Sequence, residues 1–527
     1  MNNKKHRPFA LIFVVTTLLI GAATGAIFGE RSVPDDEQEL VLRASEIVTT
    51  LLQWLPEEHE PEDLVYDGIG GMLQVLDPHS NYLDPRSFRQ MRAKQEGSFF
   101  GVGIIISRRN GNVTVISPIA GTPAAARGLR AGDIISAVAG DPTEDLNLDE
   151  VVDLVRGPEG TTVVLTIERP GFKEPFDVEI ERTRIPQMSV PYSFLIEPDI
   201  GYIRLAEFSN TSTREVQDAI ADLTSQGMKR LIFDLRNNPG GPLDAAVGVS
   251  DLFLDEDQLI TSTRGRTPEN NTTFRAPGNP AGFDGPLVVM VNQGSASASE
   301  IVAGAVQDHD RGLVLGEVTW GKGLVQTVFT VRDTGLALTT ARYYTPSGRC
   351  IQRDYESFID YVTHRNGNDT STAEIYQTDA GRTVLGGGGI TPDITVENRT
   401  LSESMVRLYS VSAFFRFAVE ILAEVPEEQY GAFAENFEVN EELLDEFWTW
   451  LVEEEILEPE IIESFAEDEI EVADVIRSIN VEVFNSTLGL NEGYQVALEG
   501  DDQMAQAIEN LDAAQDFWTA FAEEHSK

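Results

Sequence analysis

Apolar residues recur at helical spacing early in the chain. Leu40, Val41, Ile47, Val48, Leu51 and Leu52 predict helices within residues 34–96. The turn-rich stretch LDPHSNYLDP (76–85) interrupts them and carries His79. From 97 to 182 the pattern changes. The runs GVGIIIS, VTVISP, DIISAVAG and TTVVLTIER read as short strands, with a helical stretch, LDEVVDLVRG, between the last two. From 183 to 400 strands alternate with helices. IGYIRLAEF is a strand and STREVQDAIADLTSQG an amphipathic helix ending at Gly227. KRLIFDLRNNPGG is a buried strand running into a glycine-rich turn, and GPLVVMVNQGSASASEIVAGAVQ is a strand, a tight turn and a helix. Such alternation predicts an α/β domain with helices packed on a sheet. Residues 401–527 are helical, and Phe414, Phe415, Phe433, Phe437, Phe447, Trp448, Trp450, Phe517 and Trp518 supply the core of a small bundle.

Charge changes the picture of that last region. The 527 residues carry a formal net charge of −48, and residues 401–527 hold 32 acidic residues against 4 basic ones. Such a surface repels nucleic acid and anionic lipid. It reads as a solubilising or salt-adapted face, with a dock for a basic partner as the alternative. Cys350 is the only cysteine, so no intramolecular disulfide forms. At the N-terminus the basic NNKKHRP precedes 20 uncharged residues, FALIFVVTTLLIGAATGAIF (9–28). That length crosses a bilayer as a helix, and the basic flank argues for an exported body. The small residues of GAATGA also permit a cleaved signal peptide. The expectation is an inner-membrane anchor within residues 1–29, with the body on the periplasmic or extracellular side of a cell envelope.

Several chemistries are disfavoured. No histidine pair has zinc-ligand spacing, and neither H-E-x-x-H nor G-x-S-x-G occurs. GEVTWGKG (316–323) opens like a phosphate-binding loop, but Gly323 stands where Ser or Thr would hold magnesium, and a strand-like run follows instead of a helix. VNQGSASASEI is more informative. A serine at a strand-to-helix junction lies beside free backbone N–H groups and the positive end of a helix dipole, which suit a developing oxyanion. Ser295, Ser297 and Ser299 all sit there, and each equally fits a plain helix cap. A serine nucleophile needs a base. Lys322, between Gly321 and Gly323, can enter a site where the glycines let the chain bend, and desolvation favours its neutral, basic form. Gln326 shares its strand parity and can orient the amine, although a straight strand would separate their Cα atoms by roughly 13 Å.

The strand order of residues 97–182 resembles a PDZ domain, with FFGVGI (99–104) where that family has its carboxylate-binding loop. Glycines there let consecutive N–H groups converge on a peptide's C-terminal carboxylate. With that module ahead of them, DLRNNPGG, VNQGSASASEI, GKGLVQT, YYTPSGRCIQ and GITPD resemble the C-terminal processing peptidase (tail-specific protease) family. The resemblance implies an α/β serine protease core (183–400) preceded by a PDZ domain (97–182) and an N-terminal helical segment (34–96), and followed by an acidic α-helical region (401–527). It implies Ser297 as nucleophile, Lys322 as general base and Gln326 as the group orienting it. It places the oxyanion hole on Ala298 with Gly240 or Gly241. It places peptide binding on Phe100, Gly101, Val102, Gly103 and Arg156, the last coupling tail capture to the protease site. Asp308 matches an acidic family position read as structural. No metal or cofactor is called for. The expected partners are proteins with unstructured C-termini, and not nucleic acid. Residues 401–527 depart from the shared motifs and are left to homo-oligomer contacts, an adaptor or restriction of access. A non-catalytic tail-binding scaffold on a protease-like fold is the rival reading. Single-site trimming and broad degradation both stay open.

Overall fold

The computed structural model describes residues 35–55, 60–109, 111–169, 171–279, 281–355, 358–363, 374–423 and 425–525. They divide into two units, one formed by the chain up to Phe88 with Gln326–Thr339, the other by Arg89–Val325 with Thr340–Lys527.

In the first unit, helix Asp35–Trp54 is followed by helix Pro61–Gln74, which starts on a proline whose missing N–H costs nothing there. Strand Asn81–Leu83 pairs antiparallel with residues 335–337. The turn between helix and strand is built on Asp77. Its carboxylate accepts the N–H groups of His79 and Ser80 (both 2.8 Å) and the Ser80 hydroxyl (2.6 Å). Burial opposes ionisation of Asp77, but these bonds and one from Thr339 outweigh it and hold its carboxyl below the ordinary range. His79 is thus part of a local turn.

The second unit begins with the β-rich module. Strands Ile104–Arg109, Asn112–Pro118, Ile134–Val138, Thr162–Glu168 and Phe176–Glu181 follow one another across one antiparallel sheet. Val115, Ile135, Leu165, Ile167 and Ile180 are its fully buried core. Helix Leu148–Val155 starts in a capping box between Asn147 and Glu150, as the sequence N-L-D-E requires.

The α/β region forms a six-stranded sheet. Strand Tyr192–Glu197 runs antiparallel to Ile200–Arg204, and Arg230–Asp234, Leu287–Val291, Leu313–Gly316 and Ile394–Thr395 continue it in parallel. Parallel strands are buried on both faces, which is why LIF, LVVMV and LVL are unbroken apolar runs. One face carries helices Ser212–Ser225, Leu243–Ser250 and Ala298–Asp308. The other is covered from the far end of the chain: Leu498, Met504, Ala507, Leu511 and Ala514 pack on Tyr202, Ile232, Val288, Met290 and Leu315. The acidic region therefore has two parts. Residues 405–483 build the aromatic bundle around Phe414, Phe417, Phe447 and Trp450, whereas the last three helices complete the protease layer.

Among the described residues, no helix is long and apolar enough to cross a membrane. This corrects the expected inner-membrane anchoring and envelope placement. The segment on which that expectation rested, residues 9–28, lies outside the described residues.

Candidate active site

Strand Leu287–Val291 delivers three serines to the start of helix Ala298–Asp308, and their surroundings separate them. Ser295 is fully buried; its hydroxyl donates to Leu235 O (2.8 Å) and accepts from Asn292 N–H (2.9 Å). Ser299, also fully buried, donates to Asn238 O (2.9 Å). Both are committed to stitching the serine turn to the DLRNNPGG turn. Ser297 is partly exposed and has φ +56° and ψ −108°, a conformation that a residue with a Cβ rarely adopts. Such a residue persists only where its surroundings over-determine it.

Glu300 and Tyr343 provide that constraint. Glu300 is fully buried and its carboxylate accepts four hydrogen bonds. One oxygen takes Ser297 N–H (2.7 Å) and Lys322 N–H (3.0 Å); the other takes Gly321 N–H (2.7 Å) and the Thr319 hydroxyl (2.6 Å). The Thr319 hydroxyl in turn accepts Ile390 N–H (2.7 Å), so its own proton points at Glu300. Burial pushes the Glu300 carboxyl above its ordinary range, while all four donors favour the ionised form. On the opposite side, the buried Tyr343 hydroxyl faces Ser297 O (3.0 Å) and Lys322 O. Burial raises its pKa well above the ordinary phenol value, so it stays a donor. One carboxylate and one phenol thus tie the backbone of Ser297 to that of Lys322.

The lysine loop uses its glycines differently from a simple hinge. Gly321 takes the left-handed φ of +84°. Gly323 is required by close approach: a Cβ there would lie 2.7 Å from Gln352 N. Its own N–H donates to Gln352 Oε1 (2.9 Å), and its carbonyl accepts Tyr343 N–H (3.0 Å). Gln326, on strand Leu324–Val331, belongs to the other unit, where its amide donates to Thr339 Oγ1 (3.3 Å).

The DLRNNPGG turn closes on Ser297. At Gly240 (φ +93°) a Cβ would come within 2.8 Å of Ser297 Cβ and Ala298 N and 2.7 Å of Ala296 O. Only glycine fits. Gly240 N–H donates to Asn238 Oδ1 (2.9 Å), and Asn238 O accepts Ala296 N–H (2.9 Å). Gly241 is exposed, although a Cβ there would lie 2.2 Å from Phe208 O, and Ala298 is the first residue of the helix. Asp308 is buried in an ion pair with Arg349 (2.8 Å) and accepts Ser347 N–H (3.0 Å), a structural position.

In the β-rich module, Phe100 is exposed, Gly101 and Val102 are buried, and Gly103 has φ +83° with a Cβ position 2.3 Å from Thr122. Arg156 follows helix Leu148–Val155 and lies over the Phe99 ring at 4.4 Å, beside that loop. Glu300, Tyr343, Gln352 and Asn238 escaped the sequence reading. For Glu300 a signal existed: S-A-S-E is a capping-box spacing.

The chain matches peptidase family S41 over residues 199–357 and a PDZ domain over residues 114–169. The first stretch contains the serine turn, the lysine loop, the glycine turn, Glu300 and Tyr343. The carboxy-terminal-processing protease of Bartonella bacilliformis is 43% identical over 312 residues, covering 58% of this chain and 70% of that protein. The carboxyl-terminal-processing protease of a Picosynechococcus species is 37% identical over 346 residues, covering 61% and 82%. This chain belongs to the C-terminal processing serine protease family. A solved relative within it, the photosystem II D1 C-terminal processing protease, is 30% identical, covering 67% of this chain and 86% of its own, with a TM-score of 0.35. The family's S41 core with a PDZ domain ahead of it is the architecture seen here.

Proposed function

We propose that this protease cleaves disordered proteins with a Ser297–Lys322 dyad, after its PDZ loop has captured their free C-terminal tails. The observation that supports the dyad most is the pair of buried clamps, Glu300 and Tyr343, which hold Ser297 and Lys322 together. The neutral Lys322 amine takes the Ser297 hydroxyl proton as Oγ bonds to the scissile carbonyl carbon. Ala298 N–H and the N–H of Gly241 or Gly240 stabilise the oxyanion, and Gly241 has the advantage because Asn238 already occupies Gly240 N–H. Lys322 passes the proton to the departing amine as the C–N bond breaks. Water then attacks the acyl ester, and the enzyme is restored. Loop residues Phe100 to Gly103 bind the tail carboxylate, with Arg156 linking the loop to the core.

Degradation of an unfolded substrate such as casein tests the dyad. Lys322→Arg keeps the positive charge but cannot lose its proton at usable pH, so it is expected to be as inactive as Lys322→Ala. An Arg variant with wild-type turnover would sink the lysine's role as base. The tail-capture half has its own test. Amidating the substrate's C-terminus removes the carboxylate and is expected to raise KM about tenfold or more with little change in kcat. Equal KM for the acid and the amide would remove the PDZ loop from substrate selection.

A further inference from the structure

The DLRNNPGG turn rests on a buried charge cluster that extends outside the family core. Asp234, the last residue of its strand, is fully buried. It accepts the Tyr202 hydroxyl (2.7 Å), Arg236 N–H (2.8 Å), Arg236 Nε (3.0 Å) and Nη2 (2.8 Å), and Arg204 Nη1 (3.3 Å). Burial opposes its ionisation, but Arg236 and Arg204 outweigh that and hold its carboxyl below the ordinary range. Two guanidiniums therefore face one carboxylate. Such an excess of buried charge needs a second anion.

That anion comes from the C-terminal helices. Arg236 Nη1 pairs with Asp501 Oδ2 (2.6 Å) and donates to Gln503 Oε1 (3.1 Å). Gln503 is fully buried and locked by its own amide, which donates to Val396 O (2.7 Å). The other Asp501 oxygen caps helix Asp502–Glu509 through Met504 N–H (3.0 Å). Arg236 lies two residues before Asn238, whose carbonyl and side chain hold Ala296 and Gly240 in place. A shift of Arg236 therefore reaches the glycine turn directly.

We infer that Asp501 and Gln503 are positioning residues for the reaction: through Arg236 they fix the glycine turn that faces Ser297, so the acidic C-terminal region is a working part of the protease site. The inference rests on the reading of that turn as an oxyanion donor. It adds a function to a region outside the matched S41 stretch.

Kinetics on the full-length chain test it. Asp501→Ser keeps an oxygen to cap the helix but cannot reach or neutralise Arg236. Gln503→Met removes the second acceptor. Each is expected to lower kcat about tenfold or more while KM moves less than about threefold, the mark of an interaction made in the transition state. Asp501→Glu, which restores the charge, is expected to recover most of the rate. Leu511→Ala is the control for stability, since Leu511 is buried in the same layer and its side chain has no polar group to pair with Arg236. It is expected to lower the unfolding temperature at least as far as Asp501→Ser, yet keep kcat within about twofold. Two results would overturn the inference: wild-type kcat in both Asp501→Ser and Gln503→Met, or a kcat loss in Leu511→Ala as large as theirs. Failure of the functional reading looks different, because Ser297→Ala would then keep cleaving. If only this inference fails, Ser297→Ala is dead and Asp501→Ser is fully active.

Discussion

Ser297→Ala is expected to leave no measurable cleavage of casein, a loss on the order of 10⁴-fold or more, with the fold intact. Ser295 and Ser299 cannot take over, because both hydroxyls are buried and donate to backbone carbonyls. The same position makes an opposite prediction for stability. With φ +56° and ψ −108°, Ser297 carries strain of roughly 1–3 kcal/mol, which alanine keeps and glycine relieves. Glycine gives back about 1 kcal/mol through the greater freedom of its unfolded chain. Ser297→Gly should therefore be inactive but unfold about 1–2 °C higher than Ser297→Ala. Calorimetry beside an activity assay reads both. Cleavage by Ser297→Ala at the wild-type rate would remove Ser297 as the nucleophile, whereas a wild-type chain that does not cleave would return the protein to the tail-binding scaffold reading. A glycine variant less stable than the alanine variant would show that the strain is not there.

Glu300 carries the second large effect. Glu300→Ala leaves the N–H groups of Ser297, Gly321 and Lys322 and the Thr319 hydroxyl buried around an empty site. At about 1–3 kcal/mol for each orphaned donor, the loss is a large part of the stability of an ordinary domain. That variant is expected to fold poorly. Glu300→Gln is the informative one. Its amide oxygen still accepts two donors, but its NH₂ group meets the other two head-on. Whichever way the amide turns, either the Ser297–Lys322 link or the Thr319–Gly321 link is lost. Destabilisation of about 2–4 kcal/mol is expected, with kcat down by about 10²-fold, because losing either link loosens the Gly321–Lys322 loop against Ser297. Wild-type stability and turnover in Glu300→Gln would mean that the four-donor carboxylate does not organise the site.

The parts of this architecture that were legible in the sequence share one property: their signals are local. Val288, Val289 and Met290 advertise a strand buried on both faces, and the Asn147–Glu150 spacing marks a helix start. The glycines of NPGG announce a tight turn because only glycine reaches φ +93° without strain. The Glu300 clamp was half legible, since a glutamate three residues after a serine is a local spacing, but its bonds to Thr319, Gly321 and Lys322 span about twenty residues of intervening chain.

What the sequence alone determined is the set of elements, the family and the candidate residues, because periodicity, turn chemistry and ordered motifs act over a few residues. What the tertiary structure decided is how each candidate is held. It separated Ser297 from two identical neighbours by giving their hydroxyls partners at Leu235 and Asn238. It showed that Gly323 answers to Gln352, nearly thirty residues away, while Gly321 makes the bend. It also moved the last three helices from an appended acidic tail to the second face of the protease sheet, with Asp501 against Arg236. None of these follows from spacing, because burial and hydrogen bonding between distant segments depend on where the sheet brings them together.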